Sequence, residues 1–146
     1  IIKHIPGHGL AKVDSHFSTP YINKSLQYLL KNDFKAFKNK NSFFAMTGHL
    51  IFNQIDKDNT VTHSRKMINI IRKKVGFKNL LISDDLSMKS LKKGLKINTI
   101  DTFKAGCNLA LHCNGKLKEM EIVGKNSPLI SKFIIKKTSQ FYNILR

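Results

Sequence analysis

Short apolar runs alternate along this chain with longer stretches of helical period. Leu80, Leu81 and Ile82, within Asn79 to Ser83, form an unbroken apolar run, the mark of a short strand buried on both faces. Phe43 to Thr47 and Leu109 to Leu111 read the same way, and Ile1 and Ile2 read as the end of another strand. Ile22, Leu26, Leu29, Leu30, Phe34 and Phe37 recur at helical spacing and predict one helix over 22–37. A polar, turn-like segment from Asp56 to Thr62 leads into a helix from about Ser64 to Val75, with Met67, Ile70, Ile71 and Val75 inward and Gly76 as its cap. Ser87 to Lys93 predicts a short helix broken at Gly94, and Asn98 and Gly106 bracket a helix from about Thr99 to Ala105. Ser127 followed by Pro128 predicts the start of a last helix, with Ile130, Phe133, Ile134, Phe141 and Leu145 as its inner stripe. The order is strand then helix, four times over, the pattern of a parallel α/β fold.

With 146 residues the chain is long enough for one domain with a core, and no internal boundary divides 1–146. It falls short of the roughly 250 residues of a complete eight-stranded α/β barrel. No segment has the pattern of a signal peptide, and no apolar run approaches the roughly 18 residues of a membrane span, so a soluble protein without membrane contact is expected. A net charge of +17 invites a nucleic-acid partner. Against that, the lysines are scattered on helix faces, only three of the 26 basic residues are arginines, and Asn, Ile and Phe are plentiful. This is a broad compositional bias, and no specific nucleic-acid partner is expected. Cys107 and Cys113 make neither a C-x-x-C pair nor a disulfide framework, which points to a reducing compartment.

Candidate chemistry collects where the apolar runs end. Asp84 and Asp85 lie just past the run at 80–82, the position at which parallel α/β folds carry their sites. Neighbouring residues leaving a strand point in opposite directions, so one aspartate can face a site while backbone donors hold the other; Asp84 is the candidate working carboxylate. The alternative is that S-D-D only caps the next helix. Near the start, Pro6, Gly7 and Gly9 force a turn that carries His8 away from Lys3 and His4. The loop then delivers Asp14 and His16, two residues apart, so that the carboxylate can fix the imidazole tautomer and favour its protonated form. A histidine held in this way suits general acid/base work. Three histidines in thirteen residues match no zinc spacing, and Lys3 would oppose a cation; no metal or other cofactor is expected. His49, at the edge of the strand at 43–47, reads on its own as structural.

Taken together, K-H-I-P-G-H-G, the D-S-H four residues further on, A-M-T-G-H, G-F-K-N-L-L-I-S-D-D-L-S-M and A-G-C-N-L-A-L-H-C-N resemble family 3 glycoside hydrolases of the NagZ type, the bacterial β-N-acetylglucosaminidases of cell-wall recycling. The resemblance runs from about Ile1 to Asn114, and the combination of the lysine-histidine motif with D-S-H is its specific part. It implies a (β/α)8 TIM barrel of which 1–146 would be the C-terminal half, about four strand-helix units, with the first half missing. It implies Asp84 as nucleophile, His16 as acid/base with Asp14 as its dyad partner, and Lys3 and His4 as contacts to the sugar hydroxyls. His8, His49 and Asn114 are secondary candidates. The implied reaction is retaining removal of terminal N-acetylglucosamine from a muropeptide or chitobiose-like substrate in the cytoplasm, through a glycosyl-aspartate intermediate. Histidine in place of the usual acid carboxylate leaves hydrolysis and phosphorolysis both open. Ile5 stands where the family usually carries Phe. Competing readings are another family 3 β-glycosidase, or an inactive basic half-barrel that binds nucleic acid or another polyanion. The oligomeric state is left open.

Overall fold

The two-residue alternation of the strands sets the layers of this protein. The computed structural model describes residues 1–145. Four strands, β1 (Ile2–Ile5), β3 (Phe44–Thr47), β5 (Leu80–Asp85) and β6 (Leu109–Leu111), form one parallel sheet in the order β1-β3-β5-β6. A two-residue strand β2 (Tyr21–Ile22) pairs in parallel with β4 (Ile51–Phe52) beside it. The helices are α1 (Leu26–Lys31), α2 (Arg65–Ile70), α3 (Leu95–Ala105), α4 (Leu117–Asn126) and α5 (Lys132–Tyr142). The α/β class and the four-strand parallel order are as the sequence predicts.

Ala45 pairs with Leu81 and Met46 with Ile82, so alternate residues of neighbouring strands share a face. On one face Ile5, Ala45 and Leu81 join Leu29, Phe34, Met67, Ile68, Ile71 and Ala105 in a single core. Phe34 and Phe52 meet edge-on within it, with ring centroids 5.1 Å apart. The other face carries Met46, Ile82 and Asp84, which stay partly exposed. Phe141 of α5 packs on Phe43 and Phe44 there, at 5.5 and 5.0 Å.

Several predicted elements are corrected. The helix expected over 22–37 is only α1, capped by the Ser25 hydroxyl; it stops at Asn32, and a separate 3₁₀ turn covers Phe34–Phe37. Ile22 is buried, but as part of β2, because Asn53 N–H donates to its carbonyl. The segment from Ser87 to Lys93 forms turns, not a helix, and α3 starts four residues before the expected position, at Leu95. Asn98 therefore lies inside α3, where its carbonyl accepts from the Thr102 hydroxyl at 2.8 Å. α4 has no counterpart among the predicted elements. Ser127 and Pro128 follow its end, and α5 is opened by Ser131, whose hydroxyl accepts from Ile134 N–H. The stripe expected to face inward on α5 is largely uncovered: Ile130, Phe133 and Leu145 are exposed, and Phe141 makes the aromatic contact. By contrast α2, capped by Ser64 and continued by a wider turn over Ile71–Val75, ends at Gly76 in the left-handed region that glycine adopts freely.

The register of β5 is fixed from both sides by polar groups. The Arg72 guanidinium donates to the carbonyls of Phe77 and Asn79 and, at 2.8 Å, to Asn108 Oδ1. The same Oδ1 accepts from Leu81 N–H at 2.9 Å, so one amide oxygen joins the wider turn after α2, β5 and the approach to β6. Elsewhere His63 donates from Nε2 to the Asn98 carbonyl, and burial pushes its pKa down to about 4.

Two outcomes follow. Asn108→Ala strands two buried donors and is expected to cost about 1–3 kcal/mol, read as a lower urea midpoint, whereas Asn108→Asp, which gives Arg72 a charged acceptor, should hold or raise the midpoint; an alanine variant with an unchanged midpoint would remove Asn108 from this role. His63 is a base whose folded pKa lies below its unfolded one, so the unfolded chain binds the proton more tightly. Stability is therefore present above about pH 6.5 and falls as the pH drops from there towards 4, by up to about 3 kcal/mol. His63→Gln should flatten that part of a stability-against-pH curve.

Candidate active site

β1 and β5 end on the same edge of the sheet, and their last residues open into a cleft of about 360 Å³ whose lining includes Lys3, His4, His8, Asp14, His16, Asp33, Phe37 and Asp84. The structure thus brings the candidate nucleophile, the D-S-H pair and the lysine-histidine pair to one opening. The Lys3–His4 and Ile5–Pro6 peptide bonds are both cis.

Both aspartates belong to β5 itself, not to the turn beyond it, which corrects the expected strand end at Ser83. Their side chains part as strand geometry requires. Asp84 faces the cleft, with its Oδ2 3.4 Å from His4 Nε2 and its Oδ1 accepting from Asp85 N–H at 2.9 Å. Asp85 turns the other way: its oxygens accept from Ser87 N–H, the Ser87 hydroxyl and Cys113 N–H. The Asp85 carboxylate is held by three donors, while that of Asp84 lines the cleft. Burial holds the His4 imidazole below its ordinary pKa against the pull of Asp84.

His16 and Asp14 form a tight pair at the surface. Asp14 Oδ1 accepts from His16 N–H at 2.9 Å and lies 2.7 Å from His16 Nδ1. The backbone N–H and then the ring hold the Asp14 carboxyl below the usual range. With Nδ1 committed to the carboxylate, Nε2 is the nitrogen left to exchange a proton. The His8 ring leans on that of His4, with centroids 5.3 Å apart.

His49 and Asn114 lie away from the cleft lining. His49 is fully buried, and its Nε2 donates to the Asp85 carbonyl at 3.0 Å. Its Nδ1 accepts from the Thr62 hydroxyl at 2.8 Å, and Thr62 Oγ1 in turn lies 2.9 Å from that of Thr47. Burial keeps the ring neutral, so its task here is to hold the Asp85 backbone. Asn114 donates to Glu119 of α4 at 2.6 Å. Glu119 also meets His112 Nε2 at 2.9 Å, and these partners, His112 foremost, pull its pKa down to about 2. Among the described residues no group of three or more His, Cys, Asp or Glu side chains is placed to hold a metal. Sequence reasoning missed Asp33, whose signal is an acid directly before the buried Phe34, and Glu119, on a helix missing from the predicted elements.

Comparison with known proteins places the chain among relatives. The chain is 35% identical over 120 residues to a β-hexosaminidase of Haemophilus influenzae, covering 77% of this chain and 34% of the relative. It is 30% identical over 148 residues to a β-hexosaminidase of Psychromonas ingrahamii, covering 97% and 42%. It therefore spans less than half of these relatives. The crystal structure of native NagZ from Neisseria gonorrhoeae superposes with a TM-score of 0.78 at 29% identity, covering 92% of this chain and 40% of that one. The family model described as the glycosyl hydrolase family 3 N-terminal domain matches residues 1–137, and the chain belongs to that family.

Proposed function

We propose that this chain carries the catalytic centre of a retaining β-N-acetylglucosaminidase that releases terminal N-acetylglucosamine from muropeptide fragments in the cytoplasm. The observation that carries the reading is the meeting of an open strand-end carboxylate, Asp84, with a carboxylate-held histidine, His16, across one cleft. Asp84 attacks the anomeric carbon while the bond to the aglycone oxygen breaks, and His16 Nε2 gives its proton to that oxygen. A water then loses its proton to the same nitrogen and attacks the glycosyl-aspartate, which frees the sugar with retained configuration. Lys3 and His4 bind sugar hydroxyls. The β-hexosaminidase names of the relatives support the sugar, and the domain would be one half of a barrel closed by a further four strand-helix units.

The dyad is tested by leaving-group dependence in the intact gene product. An activated aryl glycoside needs attack but little protonation, so His16→Ala should lose about 10²- to 10⁴-fold on a natural disaccharide and far less in the glycosylation step of the aryl substrate. Asp14→Ala should show a weaker form of the same pattern, and Asp84→Ala should abolish both reactions. Equal losses on both substrates for His16→Ala would rule out the acid/base role. Appreciable activity in Asp84→Ala together with loss in Asp85→Ala would transfer the nucleophile to Asp85.

The half-barrel reading has its own test. Residues 1–146 alone expose the strand edges of β1 and β6 and the partly covered face of Met46 and Ile82. In sedimentation they should associate, and they should lack hexosaminidase activity; a sharp monomeric species with activity would overturn the reading.

A further inference from the structure

Residues 7–16 leave the sheet at Pro6 and carry His8, Asp14 and His16 over the cleft. Most of their hydrogen bonds are local: Ala11 N–H to the His8 carbonyl, His16 N–H to Asp14 Oδ1, and Phe17 and Ser18 N–H to the Asp14 carbonyl. Among the described residues, one hydrogen bond ties this loop to a distant part of the fold, from Gly9 N–H to Asp33 Oδ1 at 3.3 Å. Gly7 lies against the same carboxylate so closely that a Cβ at that position would collide with Asp33 Oδ2 and Cγ. Only a residue without a side chain permits that approach. Asp33 stands on a firm base, since the next residue, Phe34, is buried in the core against Phe52. Its Oδ2 is buried without a hydrogen-bond partner, and burial pushes the carboxyl pKa up.

An acid in that position is unfavourable for stability alone, because a desolvated carboxylate oxygen without a donor costs free energy. It is explained by what it grips. We propose that Asp33 is a positioning residue for the acid/base: its carboxylate holds the 7–16 loop at Gly7 and Gly9 and thereby sets His16 and Asp14 over Asp84. This rests on the reading of His16 as the proton carrier. Asp33 touches no reacting atom. It acts through the loop, as a post between the core and the dyad.

The test uses the intact gene product with Asp33→Ala, Asp33→Asn, Gly7→Ala and His16→Ala. Asparagine keeps an oxygen for Gly9 N–H, alanine removes it, and a methyl group on Gly7 displaces the carboxylate. Amide hydrogen exchange over residues 8–16 should rise about tenfold or more in Asp33→Ala and in Gly7→Ala and stay near wild type in Asp33→Asn. No rise in either variant overturns the tether, whatever the reaction. In kinetics, Asp33→Ala should lower kcat on the natural disaccharide about 10- to 100-fold with KM little changed, and should spare the glycosylation step of an activated aryl glycoside. The Gly7→Ala/Asp33→Ala double variant should be no worse than either single change, since both break one link. Equal losses on both substrates, while His16→Ala discriminates between them, overturn the positioning role. If His16→Ala itself fails to discriminate, the acid/base assignment falls and the positioning role with it, while the exchange result still decides whether the tether exists. Should Asp33→Ala fail to fold, Gly7→Ala supplies both readouts.

Discussion

The arrangement of the cleft depends on the pleat of β5, which sends two chemically identical side chains to opposite sides of a sheet. Asp84 meets the opening and His4; Asp85 meets the turn at Ser87 and the backbone of Cys113. The division holds only while the register of β5 holds, because a slip of one residue would exchange the two faces. Asn108 and Arg72 pin the start of the strand, and His49 pins the carbonyl of Asp85 at its end. The end of β5 that carries Asp84 is thus an anchored part of the sheet, not the tip of a loop.

The other half of the chemistry is mounted differently. His16 and Asp14 are exposed, and their mutual geometry is fixed within three residues by one carboxylate oxygen that meets both the backbone and the ring of His16. Local chemistry sets the tautomer; among the described residues, one long-range hydrogen bond connects the loop to the rest of the fold. On the proposed reading, a nucleophile on a strand and a proton carrier on a loop would suit their tasks: attack demands one line of approach, while an acid/base must serve two steps on the same oxygen position.

What could be read from the sequence follows from range. The strands were legible because each is written as an unbroken apolar run, as at 80–82, although the face of Met46 and Ile82 is only partly covered, and the parting of Asp84 and Asp85 followed from strand periodicity alone. The pair Asp14 and His16 was legible because its partners are two residues apart. The start of α1 was not, since Ile22 belongs to β2 and is paired with a strand some thirty residues on, and its apolar character mimics another helical turn. α4 was missed although Leu117, Met120 and Val123 recur at helical spacing; the stripe is short, and the helix buries no residue. Asp33 was invisible for a third reason. Its partners, Gly7 and Gly9, are over twenty residues away, and neither contributes a side chain to a pattern.

The buried row of hydroxyls behind the cleft has a direction. Because the Asp85 carbonyl can only accept, His49 must donate from Nε2; Nδ1 must then accept, so Thr62 gives its proton to the ring and receives one from Thr47. A proton added to His49 would reverse the middle link, and Thr62 would need another acceptor. One is already in place, the Gly48 carbonyl at 3.3 Å. The row can therefore switch polarity without leaving a hydroxyl unmatched, and the barrier to charging this ring is the loss of water around it, not a broken network.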